Sequence, residues 1–180
     1  DEDNPVMGGI AANDVTDDGQ IVVGSYDGRP AYCNTATKTW TTLDCDEGGV
    51  AEKVTPDGRY IAGWGASSSF SADNYNEVPL LWERQADGSY RRVDIYTELQ
   101  GFPTQDKTGA NTNMLRIENM SADGNILAGA VNFIYPAVAC YYVYDRTTHT
   151  YYYIDNAMTG VAEGSFVDQS VMSNDGRYMS

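Results

Sequence analysis

The chain has 180 residues, 42% hydrophobic and 12% aromatic, which is enough to bury one sizeable core. With 26 acidic and 11 basic residues its formal net charge is −15, which argues against nucleic-acid phosphates and anionic lipid surfaces as partners. It contains no apolar run of transmembrane length and little helical periodicity, so the composition favours an all-β protein. The best helical candidate is a short turn near residues 96–100.

A short signature occurs four times along the chain and frames every other prediction. An apolar residue is followed by Thr or Ser, then any residue, then Asp-Gly and a β-prone run. The four copies begin at Val15, Val54, Met120 and Met172, and the first three close on a Gly. A repeat of this kind indicates a modular architecture of similar units.

Asp-Gly between two apolar runs predicts a hairpin, because Gly adopts a positive φ without strain and Asp bonds the local backbone. The preceding Ser or Thr can satisfy a backbone donor of the same turn. One strand should therefore end at the apolar residue of the signature, and the next should begin two residues after the Gly. The predicted turn residues are Asp18, Gly19, Asp57, Gly58, Asp123, Gly124, Asp175 and Gly176.

Two further strands follow each signature. The third strands carry Tyr32-Cys33, Leu81-Trp82 and Tyr142-Val143, and each leads through a polar loop into a fourth strand that ends on Asp44, Asp94 or Asp155. Four-stranded antiparallel meanders repeated along a chain are typical of β-propeller blades. The fold predicted for residues 1–180 is therefore all-β, a single array forming a β-propeller fragment. It has about three four-stranded antiparallel blades, 6–44, 49–94 and 114–155, plus the start of a fourth at 164–180.

The signature at residues 54–63 resembles the Ser-Pro-Asp-Gly repeat of periplasmic TolB-like β-propellers, and the longer frame resembles the extracellular repeats called HAF. The resemblance covers nearly the whole chain, although the His-Ala-Phe element of the second family is absent. It implies a bacterial envelope or secreted protein. The acidic start, residues 1–4, is similar to the stretch after the lipidated Cys of Bacteroidetes-type surface lipoproteins. The expected location is therefore secreted, periplasmic or on the surface, with membrane contact only through an N-terminal lipid anchor.

The second unit is the longest, because it gains residues at 64–78 and 95–113. In an up-and-down meander both insertions should fall at the end opposite the Asp-Gly turns, and long loops on one side of a rigid scaffold usually bind ligands. Aromatic anchors among Ser, Asn and Asp are typical of such binding loops. The candidate ligand-binding residues are Trp64, Phe70, Asp73, Asn74, Tyr75, Glu77, Phe102 and Lys107.

Three functions are open at this point. The first is a non-catalytic envelope or secreted binding module that recognises protein or glycan. Its support is the one-sided insertions and the lack of a Ser-His-Asp arrangement. The single histidine, His149, is expected to be exposed in a hairpin. The second is a propeller glycoside hydrolase or lyase using Tyr or carboxylates, with Asp73, Glu77, Glu98 and Asp106 as candidate acids. The third is an assembly scaffold that closes a ring between chains.

No cofactor or metal motif is predicted. The acidic stretches at 17–18 and 44–47 offer oxygen ligands for a structural calcium ion, but neither matches an EF-hand loop. All three Cys are expected to be free: Cys33 and Cys140 as small core residues, and Cys45 with a pKa raised by its acidic neighbours.

Three units and a partial fourth do not close a propeller ring, which needs about four to eight blades. Three solutions are possible. The remaining blades belong to a longer parent of which the chain is a fragment, which is the solution favoured here, or a second chain supplies them. Alternatively, the strands at 170–180 pair with the segment at 6–14.

Overall fold

The computed structural model describes residues 9–66, 77–100, 112–133, 138–154 and 171–179. Almost all regular structure in these ranges is β. The strands are β1 Ile10–Val15, β2 Ile21–Tyr26, β3 Arg29–Asn34, β4 Thr39–Thr42, β5 Gly49–Val54, β6 Tyr60–Ala66, β7 Glu77–Arg84, β8 Tyr90–Val93, β9 Thr112–Leu115, β10 Asn119–Met120, β11 Ile126–Phe133, β12 Val138–Asp145 and β13 Thr150–Ile154. One short helix, α1 Ile95–Gln100, follows β8.

The strands form three four-stranded antiparallel units. The first is β1-β2-β3-β4 and the second β5-β6-β7-β8. In the third, β9 and β10 pair with different parts of β11, which continues to β12 and β13. A single parallel pair, Glu77 with Met114, joins the second unit to the third. The all-β class and the four-stranded units are confirmed. Within the described ranges no sheet closes or curls, so the propeller itself remains a prediction.

The fourth unit is represented by a hairpin within residues 171–179, in which Met172 and Met179 form an isolated antiparallel bridge. Both methionines pack against Ala128, Ala130 and Tyr141 on the third unit. The fourth unit therefore lies on the third in the same order as the units follow in sequence.

The Asp-Gly turns have the predicted chemistry. In the first unit the Ile21 N–H donates to the Thr16 hydroxyl (3.0 Å), and that hydroxyl donates to the Asp18 carboxylate (2.7 Å). The carboxylate also accepts the Gln20 N–H at 2.9 Å. Gly19 has a φ of 69°, which favours Gly. The other three signatures repeat these contacts, with Gly58, Gly124 and Gly176 at φ values of 70°, 73° and 70°.

These turns should make the fold acid-sensitive. The Gln20 N–H and the Thr16 hydroxyl lower the pKa of Asp18, and the equivalent donors lower the pKa values of Asp123 and Asp175. A folded-state pKa below the unfolded value stabilises the fold above the unfolded pKa, about 4, and that contribution is lost as pH falls through the folded pKa. We therefore expect the Tm to fall on acidification below about pH 4.

The matched variant carries Asn at these three turn positions. Asn keeps an acceptor oxygen but does not titrate, so the Tm of this variant should depend less on pH over the same range. Thermal unfolding followed by circular dichroism measures both proteins. Equal acid sensitivity of variant and parent would contradict this account.

The Gly that closes each of the first three signatures lies opposite a β-bulge. In the second unit the register of β5 shifts between Ala51 and Lys53, so Glu52 has no partner on β6. A Cβ on Gly63 would overlap the carbonyl oxygen of Val50. The same clash would arise between Gly24 and Ala11 and between Gly129 and Arg116. The closing Gly is therefore required by close backbone approach, not by a turn.

Two hydrophobic cores lie between the three units, one at each junction. The first lies between the first and second units and contains Ile21, Val23, Leu43, Cys45, Ala51, Val54, Ile61, Val78, Leu80 and Trp82. The second lies between the second and third units and contains Tyr60, Ala62, Leu81, Ile95, Leu99, Leu115, Ile117, Leu127, Val131, Tyr142 and Tyr144. Neighbouring residues of one strand enter opposite cores, as the period of two dictates. The units therefore pack face to face.

Helix α1 confirms the helical turn predicted near residues 96–100. Ile95 and Leu99 are fully buried in the second core, so the start of this insertion is a packed element. In the described ranges no helix is long and apolar enough to cross a membrane.

Cys33 and Cys45 are free thiols. Burial is the main cause that raises the pKa of Cys45, and the charges of Asp44 and Asp46 add to it. Cys33 is only half-buried, and among the described residues no unit covers its face of the first sheet, so its predicted place in a core is not confirmed. The side chain of Cys140 lies outside the described residues.

Candidate functional site

Two of the predicted ligand-binding residues flank the segment 67–76 and are brought together by a residue that sequence reasoning missed. Trp64 lies near the end of β6, and Glu77 begins β7. Arg116, just after β9, donates from Nη2 to the Glu77 Oε1 at 2.6 Å and from Nε to Oε2. Its guanidinium carbon also lies 4.3 Å from the centre of the Trp64 ring. One side chain of the third unit thus contacts two of the second.

The β-bulges supply two more carboxylates to the same place. Glu52, the bulged residue of β5, accepts the Trp64 Nε1–H through Oε1 at 3.0 Å. Glu118, at the equivalent position before β10, accepts the Tyr141 hydroxyl through Oε2 at 2.7 Å. Its Oε1 lies 4.0 Å from Arg116 Nη1. A bulge frees a residue from the ladder, so its side chain can be re-aimed. We call Glu52, Trp64, Glu77, Arg116 and Glu118 the Arg116 cluster.

The first unit joins this cluster through its own bulge. The Asn13 amide nitrogen donates to the Ala51 carbonyl at 3.0 Å and lies 3.4 Å from Glu52 Oε2. The bulged residues Asn13, Glu52 and Glu118 are therefore linked across three units. Asn13 contacts Glu52 directly, and Glu52 is linked to Glu118 through Trp64 and Arg116.

The Arg116 cluster is negative and partly open to solvent. Three carboxylates surround one guanidinium; the Arg116 side chain is 29% exposed and that of Glu77 18%. The hydrogen bond with Glu77 raises the pKa of Arg116 further, so its charge is permanent. Because Nε and Nη2 of the Arg116 guanidinium both donate to the Glu77 carboxylate, Arg116 stabilises the cluster instead of binding an external anion. The carboxylates retain acceptor capacity for hydroxyl or ammonium groups.

The structure describes only part of the predicted site. Trp64 and Glu77 are placed as stated above. The remaining candidates fall outside the described residues: Phe70, Asp73, Asn74, Tyr75, Phe102 and Lys107. The alternative acid Asp106 does so as well.

Glu98, a candidate acid of the insertion end, lies elsewhere. It accepts the Tyr144 hydroxyl at 2.8 Å and lies 3.4 Å from His149 Nδ1. His149 is exposed in the β12–β13 hairpin, at the end that carries the Asp-Gly turns, as expected. The expected position of Glu98 is therefore wrong, because α1 packs down between the second and third units instead of extending the insertion end.

Sequence reasoning missed Glu52, Arg116 and Glu118. A usable signal was present for the two acids: each stands two residues before the apolar residue that opens a signature, as does Asn13. For Arg116, four residues before Met120, no such signal exists, since its role depends on the neighbouring unit.

Within the described ranges no group of three or more His, Cys, Asp or Glu side chains is arranged to hold a metal ion. In the two acidic stretches, Asp18 accepts the donors of its own turn and Asp46 pairs with Arg92 at 3.1 Å.

No protein-family model matches this sequence, and none of the curated proteins is significantly similar to it.

Proposed function

We propose that the chain is a non-catalytic binding module of the β-propeller repeat type, which recognises a glycan or a protein at the end of the units opposite the Asp-Gly turns. The observation that supports this most is the Arg116 cluster. Trp64 is fixed there by two independent contacts, with Glu52 and Arg116, directly beside the long segment 67–76.

The chemistry of the cluster supports a ligand rich in hydroxyl or ammonium groups. An aromatic ring held in one orientation offers a flat apolar surface at low entropic cost. Glu52, Glu77 and Glu118 offer acceptor oxygens around it. Acidic ligands are disfavoured, because the local charge is negative and Arg116 is already paired.

The resemblance to envelope repeats supports a location in the periplasm, at the cell surface or outside the cell. Neutral or amino-bearing glycans and basic protein surfaces are both available outside a bacterial cell, in the periplasm or at the cell surface. The amino-bearing glycans and basic proteins among them complement a chain of net charge −15.

The test is a screen of neutral, amino-bearing and acidic oligosaccharides and of basic proteins, with titration calorimetry on each hit. We expect Trp64→Ala to weaken binding of the hit at least tenfold, about 1.4 kcal/mol, and Glu77→Gln to weaken it less. Tyr152→Ala is the matched control, since it removes an exposed aromatic residue of β13 away from the cluster. Equal affinity of Trp64→Ala and the parent would refute this site.

The glycoside hydrolase or lyase alternative predicts a different outcome of the same screen. Chromatography of each bound oligosaccharide after prolonged incubation shows whether it is cleaved. Turnover that Glu118→Gln or Glu77→Gln abolishes would replace the binding module with an enzyme. Binding without cleavage supports the module.

A further inference from the structure

Consecutive units pack on one another with the same two faces, and each end of the described array has one of these faces without a neighbouring unit. We call the face of a unit that contacts the next unit its forward face, and the face that contacts the preceding unit its rear face. The first core and the second core are two successive examples. The rear face of the first unit and the forward face of the fourth unit have no such neighbour among the described residues.

Exposure of equivalent residues marks both open faces. Tyr178, on the forward face of the fourth unit, is 74% exposed, whereas the equivalent Tyr60 of the second unit is 8% exposed. Val15, on the rear face of the first unit, is 49% exposed, whereas its equivalent Val54 is 6% exposed. Val22, Cys33 and Trp40 are half-buried on the same rear face, whereas the equivalents Ile61 and Trp82 are fully buried.

The turn glycines show the same polarity. The Tyr60 ring of the second unit lies against Gly124 of the third, and the Ile126 side chain of the third lies against Gly176 of the fourth. At the junction of the first and second units the Thr16 methyl group, and not Ile21, takes this place against Gly58. Gly19, the equivalent residue of the first unit, has open space where a Cβ would stand. The vacant position at Gly19 is therefore one that the residue equivalent to Tyr60 of a preceding unit would fill, and Tyr178 is such a residue.

A third series consists of backbone hydrogen bonds between units. The Asp17 N–H donates to the Pro56 carbonyl at 3.1 Å, and the Ala122 N–H donates to the Asn174 carbonyl at 2.8 Å. These four residues occupy one position of the signature, and each donor belongs to the unit before its acceptor. Pro56 has no N–H, so the series skips the junction of the second and third units. The next donor in the series is the Asn174 N–H, and the carbonyl that would complete it is that of Asp17.

The first-strand ends of all four units also line one cavity of about 180 Å³. Its lining contains Val15, Val54, Met120 and Met172, the opening residues of the four signatures. The first strands of the four units thus meet at one place in the structure.

We propose that a second copy of this chain docks head to tail on these faces: the fourth unit of one copy covers the rear face of the first unit of the other. The Tyr178 ring then lies against the partner's Gly19, and the Asn174 N–H donates to the carbonyl of the partner's Asp17. A second copy is the occupant that the structure supports, because one chain carries both complementary halves of a contact already seen between its own units. If the two copies form this junction twice, the result is a closed dimer; if each copy contacts a different partner at each face, the result is an open chain of copies.

The experiment measures the solution mass of the intact chain by light scattering over a wide range of concentrations. It is run at ~0.15 M salt, where a Debye length of about 8 Å screens repulsion between acidic chains. We expect masses of at least twice 19.7 kDa at high concentration. A chain that stays at 19.7 kDa at every concentration overturns the proposal, since the two faces are then covered within one chain or exposed without association.

Two charge substitutions test the faces separately. Val15→Asp and Tyr178→Asp should each weaken association more than about tenfold, because each places a carboxylate in an apolar contact. Both positions are exposed in the single chain, so both variants should fold, which thermal unfolding checks. A mixture of the two variants should recover association, since one junction joins two unaltered faces. The control Ala86→Asp adds the same charge on the exposed β7–β8 hairpin and should associate like the parent.

Labelling of Cys33 gives a second, independent readout. The thiol is half-buried on the proposed contact face, so its rate of alkylation, followed by peptide mass spectrometry, should fall as the parent associates. The rate in Tyr178→Asp should not depend on concentration. Association that both charge variants retain, or a Cys33 rate that never changes, would place the contact elsewhere and refute the head-to-tail junction.

Discussion

Replacing Gly63 by Ala is expected to lower the stability of the chain by about 3 kcal/mol or more, which corresponds to a fall in Tm on the order of 10 °C. The added methyl group would overlap the Val50 carbonyl oxygen, which belongs to the backbone of the neighbouring strand. No side-chain rotation relieves such a contact. The bulge of β5 has to move instead, and with it Glu52 and the packing of β5 on the first unit.

The matched control is Gly9→Ala, at a position where an added Cβ meets no atom within 4 Å. Its Tm should stay close to that of the parent. Thermal unfolding by circular dichroism and calorimetry provides both values. If Gly63→Ala and Gly9→Ala melted together, the close approach at the bulge would not be a constraint on this fold.

The second large effect is expected at Trp82, whose truncation to Ala should cost about 3–5 kcal/mol. Trp82 is fully buried in the first core, and its Nε1–H donates to the Asp44 carbonyl at 2.8 Å. The Trp82 ring therefore fills the space between two units, and its hydrogen bond fixes the segment that leads from the first unit to the second. The loss of both contacts should loosen the first core, while the second core, which contains the fully buried Tyr142, keeps its own packing.

Trp82→Phe separates the two contributions at the same position. Phe retains most of the buried apolar surface but leaves the Asp44 carbonyl without its donor, which costs about 1–3 kcal/mol. We expect the Tm of Trp82→Phe to fall between those of the parent and Trp82→Ala. Equal values for the Phe and Ala variants would mean that the hydrogen bond, and not the packing of the ring, holds the first two units together.

Local chemistry explains which parts of the fold the sequence could predict. The Thr16-to-Asp18 arrangement is complete within a few residues, so the turns and the strands ending at Val15 and beginning at Ile21 followed from the signature alone. The four-stranded units followed from its repetition. Helix α1 was visible as a short helical segment, but its burial between two units was not, because that depends on the surface which the third unit offers to Ile95.

The candidate site was only half predictable for a related reason. Trp64 and Glu77 stood out because they flank an insertion. Arg116 is 39 residues beyond Glu77, and the contact between them requires the third unit to pack on the second. Glu52 and Glu118 each stand two residues before a signature, so their position could have been found from the repeat. Their contacts could not, because a bulge is a property of two paired strands.

The β-bulge of each first strand has a consequence for how such a chain can change. Asn13, Glu52 and Glu118 stand at one structural position without a partner residue in the ladder, while Gly opposite them keeps the backbone in place. The sheet therefore sets few demands on the identity of the bulged residue. Substitution there can alter the charge and hydrogen-bonding pattern in and beside the Arg116 cluster, one unit at a time, with little cost to folding. A repeat built in this way can vary the chemistry of one surface while its architecture stays constant.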